Sequence, residues 1–164
     1  MTSASLYRTA SVVFILFAAG HTFGFLSFTP PTAEGIAVRD AMNQVHFAVG
    51  RASFSYGNFY RGFGLSATAS MLLEAFLAWQ LAAMVRLAPR AAASVGWGLC
   101  VLQLVGFGLS CIYFSLPPAI FSLALGACLA FAAWRSEAHR PATQAVTAST
   151  SRDFALRGES YGRN

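Results

Sequence analysis

Three polar side chains stand inside otherwise apolar lengths of this 164-residue chain: Glu74, Gln103 and His21. Glu74 lies in the middle of GFGLSATASMLLEAFLAWQLAAMV, a stretch bracketed by Arg61 and Arg86 and long enough to cross a bilayer. A charged side chain near the bilayer centre costs about 2.5–3.5 kcal/mol on insertion scales, so this carboxyl must be paired, protonated, hydrated or used. Helical spacing puts Ala67, Ser70, Glu74 and Ala78 on one stripe of small residues, the face that meets other helices rather than lipid. Gly96, Cys100, Gln103, Gly106 and Ser110 make a comparable stripe one span later, with Gln103 as its amide. Counted from the helix ends, Gln103 sits at ~13 Å, Glu74 at ~17 Å and His21 at ~22 Å, depths that permit a Glu74–Gln103 hydrogen bond and a His21 contact through side-chain length or one water.

Such a group supports two chemistries. A glutamic acid bonded to Gln103 or His21 fixes helix register. An acid beside a titratable imidazole also marks ligand sites and proton relays. Burial away from water disfavours the ionised carboxylate, so a neutral acid is expected. His21, Glu74 and Gln103 are therefore the candidate ligand-binding residues of the interior. The other histidines, His46 and His139, lie outside the apolar runs, which leaves no second imidazole within a span to complete a metal or haem site. Neither a metal nor a cofactor is expected. A Gly-rich phosphate loop, a GxSxG elbow and paired carboxylates are all missing from the sequence, so common soluble catalytic schemes have no foothold.

Four apolar runs must position these residues. Helices are expected over about 6–28, 62–85, 94–114 and 118–134, an all-α transmembrane bundle in up-down-up-down order with short second and third connections. The first run could also be read as a signal peptide, but its apolar character continues past the small residues Ala18, Ala19 and Gly20 to Phe25 and Phe28. Pro30 and Pro31 end it. In the long first connection Ile36, Val38, Met42, Val45 and Val49 recur at near-helical spacing, which predicts a short surface helix. Arg51 and Arg61 then bracket Phe54, Tyr56, Phe59 and Tyr60, a composition suited to the headgroup level. Arg51, Tyr56, Tyr60 and Arg61 are accordingly the candidate headgroup or ligand contacts at the outer mouth, with segment 34–61 folded back onto it. Ser122, Gly126 and Ala130 at four-residue spacing predict close helix packing in the last span. Residues 135–164 read as a polar, mostly disordered tail.

Composition agrees with a membrane class: 56% of residues are hydrophobic and 10% charged, where soluble domains carry about 25% charge. The net charge of +5 comes from arginines that lie mostly at the ends of apolar runs and in the tail, which points to anionic headgroups rather than a nucleic-acid patch. The absence of lysine beside abundant alanine hints at a GC-rich bacterial genome. Cys100, Cys111 and Cys128 fall inside apolar runs without CxxC spacing, as buried thiols would. Arg8, Arg86, Arg90, Arg135 and Arg140 against Arg39, Arg51 and Arg61 predict both termini in the cytoplasm, and hence a multi-pass protein of a bacterial inner membrane.

The elements GHTFG in the first helix, Met42, Phe47 and Gly50 in the first connection, and Phe59, Tyr60 and Gly62–Leu65 at the start of the second span resemble a family of small, uncharacterised bacterial four-helix membrane proteins, over about residues 15–85. The resemblance implies a fold and no activity. For function, the leading expectation is a non-enzymatic membrane protein that binds an apolar ligand, a lipid or a membrane partner within the bundle. The alternatives are a membrane enzyme acting on a lipid or quinone-like substrate with Glu74 and His21 as acid and base, and a small proton-coupled transporter, for which four helices require a homodimer.

Overall fold

The computed structural model describes residues 1–138; the tail reading for 139–164, with His139 and Arg140, lies outside the described residues. Five helices and one hairpin follow in order: α1 Ser3–Ser27, α2 Ala33–Gln44, β1 His46–Val49, β2 Ala52–Ser55, α3 Tyr56–Met84, α4 Pro89–Tyr113 and α5 Leu116–Ala138. The shortest of the four long helices, α5, has 23 residues, or ~35 Å of rise, enough to cross a hydrocarbon core of ~30 Å. All four are long and apolar enough to span a membrane, and they pack against one another as a helical bundle with the short α2 beside it.

Helix boundaries follow local chemistry. Thr2, Thr32 and Ser55 cap α1, α2 and α3, each side-chain oxygen accepting the backbone N–H three residues on. Pro89 opens α4, where its missing N–H costs nothing. Caps explain why α3 and α4 begin at 56 and 89 rather than at 62 and 94: apolar character marks the lipid-spanning length, whereas the cap and the N-terminal proline mark the helix itself. α5 likewise continues past Trp134 to Ala138, so the first residues assigned to the tail are helical.

Chain order does not decide which helices embrace. The most extensive packing joins α4 to α5 and α1 to α3, α1 also packs on α5, and α3 and α4 meet only sparingly despite the short link between them. Tyr7 and Phe14 of α1 and Leu125 and Leu129 of α5 fill the middle, all fully buried. Small residues let the backbones close in. A Cβ built on Gly96 of α4 would collide with the Tyr7 hydroxyl, which donates to the Ala92 carbonyl at 3.1 Å. Phe17 stacks on Phe121 at 4.9 Å between ring centroids, tying α1 to α5. Most remaining large apolar side chains, among them Leu16, Leu73, Val101 and Leu104, are exposed on the protein, as lipid-facing positions must be.

The first connection departs from the all-helical expectation. β1 and β2 pair antiparallel, with His46 opposite Ser55 and Val49 opposite Ala52, across a two-residue loop, Gly50–Arg51. Gly50 has φ +62° and Arg51 does not share a positive φ, the pattern of a type II′ turn with glycine first. The expected surface helix is present as α2 but ends at Gln44, so Val45 is its C-cap and Val49 lies in β1, and it buries none of its residues against protein. An amphipathic helix at a membrane surface covers its apolar positions with lipid instead. The segment does fold back, onto the start of α3, where Asn43 fills the space beside Gly57.

Candidate functional site

Glu74 and Gln103 come together. The amide Nε2 of Gln103 donates to Glu74 Oε2 at 2.5 Å, and both residues are buried, at 9% and 6% exposure. The expected stripes explain this in part: Glu74 and Ala78 on α3, and Gly96, Cys100, Gln103 and Ser110 on α4, all face inward. Ser70, assigned to the same stripe, is exposed, and the inward face of α3 runs instead through Ala75, Ala78, Leu81 and Ala82. On the neighbouring α1, Ser11 donates to the Ala75 carbonyl at 2.8 Å. The pair thus bridges α3 and α4, which otherwise meet only sparingly, and among the described residues no buried side-chain polar atom lacks a partner.

His21 does not join that pair. Its Nε2 lies 3.2 Å from the Gly64 carbonyl, and its ring stacks on Phe25 at 5.8 Å, with Phe25 in turn 5.3 Å from Tyr60. Gly64 and Glu74 are ten residues apart on one helix, ~15 Å along its axis. Depth counted from Leu6 puts His21 one turn from Glu74. The antiparallel pairing of α1 with α3 sets Ser11, not His21, at the level of Glu74. Imidazole and carboxyl are therefore separate centres, one toward the hairpin end of the bundle and one in the interior.

The four outer-mouth candidates are distributed rather than gathered. Arg51 sits at the hairpin tip and Arg61 in the second turn of α3, both exposed. Tyr56 packs on Phe47 at 4.9 Å and Tyr60 on Phe25, so the tyrosines belong to aromatic clusters that bind hairpin and α1 to α3. Of the cysteines, Cys100 is buried and Cys128 half-buried, but Cys111 is exposed. The interior expectation fails for Cys111 because apolar sequence does not distinguish the lipid face from the core.

Two features were missed by reading motifs alone. Tyr7, Ser11, Phe14 and Ala18 form the buried stripe of α1; their i, i+4, i+7, i+11 spacing was the available signal. The second is an apolar groove of about 660 Å³ along the seam of α1 and α3, walled by Ile15, Phe23, Leu26 and Leu72 and floored by Thr22 and Thr68. The floor hydroxyls lie 2.9 Å apart, and Thr22 also donates to the Ala18 carbonyl at 2.8 Å.

Fold and site together define a multi-pass helical membrane protein with a buried acid–amide pair and a lipid-facing apolar groove. Comparison with family models, curated proteins and solved structures gives no match. The resemblance over residues 15–85 therefore rests on its motif residues alone.

Proposed function

We propose that this is a non-catalytic multi-pass protein of a bacterial inner membrane, both termini cytoplasmic, that holds one apolar chain of a lipid or lipid-like molecule against α1 and α3. The groove carries this reading. Its walls are apolar, Ala18 and Ala19 supply the room, and its three hydroxyls all donate within the protein: Thr22 to the Ala18 carbonyl, Ser27 to the Phe23 carbonyl, and Thr68 to the Gly64 carbonyl or to Thr22. A site with no hydroxyl proton to offer favours hydrocarbon over a polar head. The leading expectation placed the ligand within the bundle. Glu74 and Gln103 are buried and bonded to each other, and the groove along the α1–α3 seam offers the space instead. The start of α1 and the end of α5 lie at the end that carries Arg8, Arg86, Arg90 and Arg135, which favours a cytoplasmic assignment for that end. The separation of His21 from Glu74 removes the geometric support for an acid–base pair acting on one substrate atom.

Native mass spectrometry of the detergent-purified full chain tests the groove. With phosphatidylcholine as the added lipid, wild type retains one adduct per chain, and Ala19→Trp, which fills the groove with an indole, loses it. Equal retention by both proteins, or a wild type without adduct, refutes the reading; a change from dimer to monomer in Ala19→Trp reassigns the groove to a second copy of the chain.

A further inference from the structure

A second cavity lies at the opposite end of the same helix seam. It is a polar cleft of about 330 Å³ between the first turns of α1 and the last turn of α3, lined by Thr2, Ser5 and Arg8 on one side and by Ala82, Ala83 and Arg86 on the other. Two arginines from facing elements line one cleft, and among the described residues neither meets a carboxylate. The one described acid at that end of the bundle, Glu137, accepts from the indole of Trp97 at 3.2 Å. Arg8 is held by the Trp79 ring, its guanidinium carbon 5.7 Å from the ring centroid. That contact holds the guanidinium by its face and leaves its in-plane N–H donors available. Small side chains at Ala4, Ala82 and Ala83 keep the cleft open.

Like charges lining one cleft repel unless an anion lies between them. Arginine forks match phosphate oxygens two at a time, and the Ser5 hydroxyl stands in the same cleft. The cleft also sits at the ends of two membrane-spanning helices, the depth of lipid headgroups. We infer that Arg8 and Arg86 form a binding site for a phosphate group, presented by an anionic lipid of the leaflet at the start of α1. The site is independent of the apolar groove, which lies on the other half of α1.

The test uses the full chain in detergent micelles, with phosphatidic acid, phosphatidylcholine and inorganic phosphate as probes and native mass spectrometry as readout. Wild type retains phosphatidic acid over phosphatidylcholine. Arg86→Gln lowers that retention by roughly fivefold or more, from about 1 kcal/mol per interfacial arginine, and Arg86→Lys falls between the two. Arg90→Gln, a charge loss on the neighbouring α4 outside the cleft, leaves it within about twofold. Circular dichroism confirms that each variant is folded. Competition by inorganic phosphate at concentrations similar to the lipid's would keep the phosphate site but make a free anion its source. Equal losses in Arg86→Gln and Arg90→Gln would mean diffuse electrostatics and overturn the site, as would unchanged retention in a double Arg8→Gln/Arg86→Gln variant.

Discussion

Breaking the Glu74–Gln103 contact from either side gives the sharpest test of the interior. Both groups are buried, at 9% and 6% exposure, and the bond is 2.5 Å long. Glu74→Leu strands the Gln103 amide, and Gln103→Leu strands the carboxyl. A buried polar group without its partner costs about 1–3 kcal/mol, while hydrogen bonds between membrane helices average ~0.6 kcal/mol with a maximum near ~1.7. Each single variant should therefore lose about 1–2 kcal/mol, read from dodecyl sulfate titrations in mixed micelles monitored by circular dichroism. The double variant removes both polar groups and leaves leucine against leucine, so it should lose less than the sum of the singles by about 1 kcal/mol or more. Glu74→Gln keeps a hydrogen-bonding oxygen toward Gln103 and should stay within about 0.5 kcal/mol of wild type. Strictly additive losses would refute the pairing, because they would mean that each side chain is satisfied by something other than its partner.

Three further outcomes follow from packing and topology. Gly96→Ala should cost about 1–3 kcal/mol by overpacking against Tyr7, whereas Gly126→Ala, whose new Cβ would meet nothing nearer than Gln103 Cβ at 3.6 Å, should be nearly neutral in the same titration. Gly50→Ala forces a side chain into a left-handed turn and should destabilise the hairpin by about 1–2 kcal/mol, read as faster protease cleavage near residue 50 in intact spheroplasts. Reporter fusions at residue 164 and near Gly57 should report opposite sides of the membrane, with the C-terminal fusion inactive for an extracytoplasmic reporter; activity there would reverse the proposed topology.

What the sequence alone determined is set by amounts and periods. Four apolar lengths with arginines at their ends can be satisfied only by membrane-spanning helices, because hydrocarbon offers no partner to an open backbone. The inward placement of Glu74 and Gln103 was legible because a polar group among small residues has nowhere else to go in lipid. Spacing of Ile36, Val38 and Met42 likewise announces α2, but Val45 and Val49 continue the same spacing and fall beyond it, where two short runs around the Gly-X pair Gly50–Arg51 make a hairpin instead. Tertiary structure decided the rest. Whether α3 pairs with α1 or with its short-linked neighbour α4 depends on how Tyr7, Gly96 and Phe14 fit together, and a hydropathy pattern carries no information on shape. That pairing puts Ser11 beside Glu74, sends His21 to the Gly64 carbonyl, and opens one seam into an apolar groove and a two-arginine cleft. Depth along a helix can be counted from sequence; the rotation and offset of its neighbour come only from packing.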